Sequence, residues 1–247
     1  MKNQYIGDIG DFGKYGLLRF LQASGIRTGV NWYLTPDDGR TDGVHIEYLN
    51  DARMSAYDPE LYDAMKQIAP RKDKSIKMLE REACLSGMCF YDVMMDFSGL
   101  SWRERTGARM KWHDGAMSEL GNAQLVFADP DNGLSVNQKP TNKNAEKYVL
   151  PSEIVGYYNQ GQQVLYYQHR SRKAEDEWLE QKRQIKTYLP NAQLLALSFH
   201  RWSARTYIFV LHGNRLTQYT ELLRAFINTA WGTHGIDGKV PFTYDCI

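Results

Sequence analysis

Cysteine is scarce: Cys84, Cys89 and Cys246 are the three in 247 residues. An odd count with no C-x-x-C or C-x-x-H spacing excludes a disulfide framework and a cysteine-based zinc site. Long apolar runs are missing as well. None approaches the ~18 residues needed to cross a bilayer, so no membrane partner is expected. The opening residues, Met1-Lys2-Asn3-Gln4-Tyr5, carry no apolar signal region, and a cytoplasmic location is the expectation. Charge of one sign is also absent. Thirty Lys+Arg against 29 Asp+Glu leave a net charge of +1, which excludes an indiscriminate nucleic-acid coat but not a local basic face. No internal repeat and no low-complexity stretch appears. What is present is a hydrophobic fraction of 43% with 16 Tyr, 9 Phe and 6 Trp. That composition excludes a disordered chain and supports one domain, residues 1–247, with a real core.

Strand-like and helix-like segments alternate, which predicts an α/β fold. A first helix is expected from near Asp11, with Leu17, Leu18 and Leu21 on one side and Gly25 as its stop. Val30–Leu34 reads as a strand running into the loop Thr35–Gly43. Asp58–Cys84 reads as helical, split in two by Pro70. Strands are expected at Met88–Met95, Gln124–Ala128 and Gln163–Tyr167, then a charged helix from about Ser171 to Leu189. Gln193–Phe199 and Thr206–Leu211 form a late antiparallel hairpin. Leu216, Tyr219, Leu222, Leu223, Phe226, Ile227, Ala230 and Trp231 mark a last amphipathic helix. The plan is a Rossmann-like, mostly parallel sheet with that hairpin at one edge and helices on both faces.

Ligands of such sheets bind at the carboxyl ends of the strands. Three of these ends carry polar clusters: Asp37, Asp38 and Asp42; Asp129 and Asp131 within Asp129-Pro130-Asp131-Asn132-Gly133; and Gln168 with His169. Asp8, Asp11 and Lys14 precede the first helix or open it. Aspartate is also an ordinary turn former, because it bonds its own local backbone. His169 reads equally as a solvated helix start, and the run from Arg170 to Glu180 as a solvated helix. Many bases, among them Arg19, Arg27, Arg40, Arg170, Arg172, Lys173, Lys182, Arg183 and the stretch 201–205, are expected to ring an acidic cleft.

Tyr5-Ile6-Gly7-Asp8-Ile9-Gly10-Asp11-Phe12-Gly13-Lys14-Tyr15 resembles the N-terminal signature of the bacterial large-subunit ribosomal RNA adenine-N6 methyltransferases (J-type), roughly H-A-G-N-x-A-D-x-x-K-H. Further pieces follow in the family's order over most of the chain. Val30–Leu34 and Gly39 stand where the first strand and S-adenosylmethionine loop would be. Residues 47–86 resemble the inserted helical subdomain. Asp92 takes the place of the ribose-binding acid, and Asp114-Gly115 the segment beside the cofactor adenine. Leu125–Pro130 is similar to the strand ending in Asp-Pro-Pro-Tyr. The resemblance implies a methyltransferase acting on an adenine amine in RNA or DNA. Asp129 and the Pro130 carbonyl would accept hydrogen bonds from that amine, with Asp131, Asn132 and Lys14 beside them. Tyr15, Gly39, Asp92, Asp114 and Gly115 would face S-adenosylmethionine. The departures fall at the chemistry: Asp131 replaces the second proline, Asn132 replaces the stacking aromatic, and carboxylates crowd the cofactor loop.

Two other readings stay open. Asp8, Asp11, Asp37, Asp38, Asp129 and Asp131 could converge and hold Mg²⁺ or Mn²⁺, since clustered carboxylates need a neutralising cation. With Lys14 and His169 nearby, such a site suits a nuclease, phosphodiesterase or nucleotide hydrolase. The third reading is a non-catalytic binding module that uses the old cleft.

Overall fold

The computed structural model describes residues 1–39, 45–81, 85–142, 144–169, 174–201, 204–245 and 247. Its centre is a seven-stranded sheet, numbered in chain order as β1 (Thr28–Asn31), β2 (Cys89–Tyr91), β3 (Leu125–Ala128), β6 (Gln163–His169), β7 (Gln193–Phe199), β8 (Arg205–Leu211) and β9 (Phe242–Asp245). The strand order is β2-β1-β3-β6-β8-β7-β9. The first four are mutually parallel, and β8 and β9 run against their neighbours. The chain leaves β1 for β2 on one side and returns to β3 on the other. This reversal makes a crevice at the carboxyl ends of β1 and β3. A separate two-stranded ribbon pairs β4 (Gly133–Leu134) with β5 (Tyr148–Val149).

Alternation along the strands splits the core into two layers. Leu125 and Phe127 join one cluster, with Val30, Leu165, Tyr207 and Phe209. Val126 and Ala128 join the other, with Val164, Tyr166, Ile208 and Val210. The first layer is covered by α1 (Ile9–Ala23), α2 (Pro59–Ile68), α3 (Ile76–Arg81), α7 (Leu216–Ile227) and α8 (Ala230–Thr233). The second is covered by α4 (Trp102–Glu119), α5 (Pro151–Asn159) and the turn after α6 (Glu175–Arg183). Helices therefore lie on both faces of a mostly parallel sheet, as expected of a Rossmann-like fold.

α1 can approach the sheet closely because small residues face inward. A Cβ on Gly13 would come within 2.4 Å of the Phe199 ring, and one on Gly16 within 2.1 Å of Trp231. Its start is set by Asp8, whose Oδ1 accepts from the Asp11 amide at 2.7 Å, an N-cap that leaves fewer orphan donors in the first turn.

Several boundaries differ from the sequence reading. α1 begins at Ile9. β1 ends at Asn31, because Tyr33 turns into the left-handed region at φ +46°. The strand expected at Met88–Met95 keeps three residues, while that from Gln163 extends to His169. The last helix breaks after Ile227, and Thr229 caps a separate α8 through its hydroxyl. The described residues of 47–86 hold short 3-10 turns, α2 and α3, with Pro70 between the helices. α4 has no counterpart in the sequence reading: Asp114 and Gly115, which the resemblance sets beside the cofactor adenine, lie inside it. Arg40, Asp42, Gly43, Cys84, Arg170, Arg172, Lys173 and Cys246 lie outside the described residues.

Candidate functional site

The helix-α1 face of the sheet carries Phe127 and then Asp129 two residues on, Tyr167 and His169, and Tyr207 and Arg205. All of these lie toward one end of the sheet, as period-two geometry and the β6–β8 register require. The N-terminal turn of α1 lies over that end. Between them is a cavity of about 520 Å³, lined by Asp8, Asp11, Lys14, Asp129, Pro130, Asp131, Asn132, His169 and Arg205 among others. The sequence therefore identifies most of this wall. It also contains Tyr5, from the N-terminal signature, Tyr167, beside the Gln168–His169 cluster, and Lys147 and Tyr207, which no motif marks.

Asp8, Asp11, Lys14 and Asp129 are each at most 5% exposed, so their charges must be balanced locally. Lys14 Nζ bridges Asp11 Oδ1 at 2.8 Å and Asp129 Oδ2 at 2.6 Å. Asp11 Oδ2 accepts from the Tyr15 hydroxyl at 2.9 Å and the Gly7 amide at 3.1 Å. Arg205 Nη2 donates to Asp8 Oδ2 at 3.1 Å. Asp131 Oδ1 meets the Met1 amine at 2.7 Å. Burial would lower the Lys14 pKa, but the two carboxylates outweigh it and hold the ammonium charged. Burial pushes the Asp129 carboxyl up, with Lys14 opposing. It does the same at Asp8, with Arg205 opposing. At the rim, burial and then Arg205 lower the His169 pKa, favouring the neutral ring. The His169 Nδ1 lies 3.2 Å from the Tyr167 hydroxyl.

The turn after β3 is held by Gln168. Its Oε1 accepts from the Leu134 amide at 2.9 Å, and its Nε2 donates to the Asn132 carbonyl at 3.4 Å. Gly133, at φ +95°, has no room for a side chain, since a Cβ would lie 2.7 Å from that amide. The turn thereby keeps Asp129 and Pro130 at the cavity wall. Among the described residues no donor reaches Asp129 Oδ1 or the Pro130 carbonyl.

The carboxylates do not converge into a metal centre. Asp37 and Asp38 line a neighbouring cavity of about 410 Å³. There Asp38 pairs with Lys2, and Asp37 Oδ1 accepts from the Gln4 amide. Lys14, Arg205 and the Met1 amine neutralise the others. Among the described residues no group of three or more His, Cys, Asp or Glu could hold a metal ion. Arg205, counted in the sequence with the basic rim, turns inward to Asp8.

The residues present do not fit S-adenosylmethionine where the resemblance would put it. Beyond β1 the chain carries Trp32 and Tyr33, both fully buried. Trp32 stacks on Phe90 with centroids 6.1 Å apart and donates through Nε1 to Glu80 at 2.9 Å. Tyr33 packs edge-on to Trp112 and donates its hydroxyl to Glu153 at 3.0 Å. The segments after β1 and β2 are joined by Trp32 N–H to Tyr91 O and Met95 N–H to Leu34 O. Gly39, at φ +68°, has nothing within 4 Å of a built Cβ. Asp92 pairs with Lys77 at 3.4 Å. Gly115 packs against the Tyr91 hydroxyl, 2.7 Å from a built Cβ. Gly39, Asp92, Asp114 and Gly115 are all outside the wall of the Asp129 cavity, and Tyr15 sits behind it on Asp11.

No protein-family model matches the chain, and no curated protein matches it. Among solved structures, it is similar to protein LPL1258 from Legionella pneumophila str. Philadelphia 1, described by the family-model label DUF519. The identity is 12% over 97% of each chain, with a TM-score of 0.47. Among the described residues no helix is long and apolar enough to cross a membrane.

Proposed function

We propose that this protein binds an adenine-type base of a nucleic acid at the carboxyl end of β3. In this reading it is a diverged relative of the adenine-N6 methyltransferases that keeps the amine-binding wall. One observation carries the reading. Asp129 and Pro130 both line the cavity, and no donor among the described residues reaches Asp129 Oδ1 or the Pro130 carbonyl. An exocyclic amine offers two N–H donors that match them. Lys14, held on Asp129 Oδ2 and Asp11, opposes the upward push of burial on the Asp129 carboxyl and orients it, so the acceptor is preorganised. Tyr5 and Tyr167 add aromatic wall on which a base can pack.

The test compares adenine with its deaminated counterpart. Calorimetric titration of adenosine monophosphate, inosine monophosphate and short oligonucleotides carrying each base should show adenine bound at least about tenfold more tightly. A site with buried acceptors discriminates strongly against a ligand that lacks the donors. Equal affinity for both bases, or no saturable binding by either, rejects the reading.

A further inference from the structure

A further cavity, of about 330 Å³, lies at the other end of the sheet, where β1, β3 and β6 begin. Its wall holds Arg27 and Arg215 and no carboxylate, in a chain whose acids and bases are otherwise balanced. Neither arginine forms an ion pair among the described residues. Arg27 Nε donates to the Asn122 carbonyl at 3.3 Å, and Arg215 Nη1 to Gln218 Oε1 at 3.3 Å.

Gln124 Oε1 accepts from the Arg27 amide at 3.0 Å, and Gln163 Oε1 from the His212 amide at 2.8 Å. Each oxygen is thus committed to the backbone, which leaves each Nε2 as the free end. Gln163 lines the cavity, and its Nε2 has no acceptor among the described residues. Gln218 is set the same way, its oxygen taken by Arg215. Gln162 is the exception: its Nε2 is spent on the Leu120 and Ala123 carbonyls.

Two guanidinium groups without an ion pair, with the Nε2 groups of Gln124, Gln163 and Gln218 and no carboxylate in the wall, suit an oxyanion. We propose that this cavity binds the phosphate group of a ligand no larger than a mononucleotide, either a free phosphorylated metabolite or a terminal phosphate of a nucleic-acid strand. The site is separate from the Asp129 cavity and does not depend on the base-binding reading. Recognition would be charge-assisted at the arginines and directional at Gln124 and Gln163.

The experiment is calorimetric titration at low ionic strength with inorganic phosphate, ribose 5-phosphate and a 5′-phosphorylated single-stranded oligonucleotide. It is run on the wild type, Arg27→Gln, Arg215→Gln and Gln124→Glu. The last keeps an acceptor for the Arg27 amide and replaces the cavity donor by an anion. Circular dichroism of each variant reports that the fold is retained. Saturable binding that weakens about tenfold or more in Arg27→Gln and Gln124→Glu is the expected result. If ribose 5-phosphate binds this way, the ligand is a free metabolite; if only the oligonucleotide does, it is a strand terminus. No saturable binding to the wild type, or binding unchanged in folded variants, overturns the proposal.

Discussion

Lys14 and Asp129 meet at 2.6 Å across 115 positions of sequence, the lysine from α1 and the aspartate from the end of β3. The same ammonium holds Asp11 at 2.8 Å. One buried cation therefore balances two buried carboxylates and ties the N-terminal signature to the central strand.

Removing that cation leaves both carboxylates uncompensated. Lys14→Met should destabilise the fold by about 3–5 kcal/mol, read by urea denaturation at pH 7. Adding Asp129→Asn in the same chain should restore part of the loss, since one of the stranded charges is then gone. A single variant as stable as the wild type would mean that the two groups do not rely on each other.

Gly10 makes room for Arg205. A Cβ at Gly10 would fall 0.5 Å from Arg205 Nη1, so Gly10→Ala must push the guanidinium off Asp8. Alanine is otherwise the better helix former. The expected outcome is a net loss of stability with altered ligand affinity at the Asp129 cavity. A gain of about 0.5–1 kcal/mol, the ordinary benefit of Gly→Ala in a helix, would show that Arg205 simply moves aside.

S-adenosylmethionine and S-adenosylhomocysteine should give no thermal shift with the wild type, because the residues that follow β1 are the buried aromatics Trp32 and Tyr33. A ligand that binds the native state raises its melting temperature by mass action, so saturating ligand gives a clear readout. A saturable shift would place the cofactor in this protein after all. Trp32→Ala should cost about 3–5 kcal/mol, as expected for emptying a buried aromatic site.

Acid sensitivity should trace in part to Glu153. It is fully buried, bonded to Arg109 at 2.7 and 3.0 Å, and accepts from the Tyr33 hydroxyl. Burial pushes its carboxyl up, but the Arg109 guanidinium more than offsets this and holds it below its ordinary 4.5. The folded state thus favours the ionised form. Its contribution is complete above pH 4.5 and fades as pH falls through the lowered folded value. Glu153→Gln should be less stable at neutral pH and show a flatter acid limb in melting temperature against pH. An acid limb identical to the wild type would assign the sensitivity to other carboxylates.

Much of the architecture was legible because local patterns and burial agree. Leu125–Ala128 is apolar on both sides and proves to be a central strand buried on both faces. Leu216–Ile227 shows the helical period and buries Tyr219, Leu223 and Phe226. α4 was invisible for the opposite reason. It exposes Trp102 and Met110, each at 61%, and buries Arg109 and His113. Its inward face is chosen by partners far along the chain, Glu153 for Arg109 and Tyr157 for His113. No hydrophobic period reports such a face.

The site divides the same way. The sequence by itself determined that polar turns follow apolar strands, and so that Asp129-Pro130-Asp131-Asn132 would stand at a strand end. Only the tertiary structure decided which charges meet. It brought Lys14 to Asp129 and Arg205 to Asp8, kept Asp37 and Asp38 in a separate cavity, and buried Trp32 and Tyr33 after β1. Side-chain pairing across a sheet depends on strand order and register, which arise from contacts between segments far apart in the chain and are not written in the spacing of any one of them.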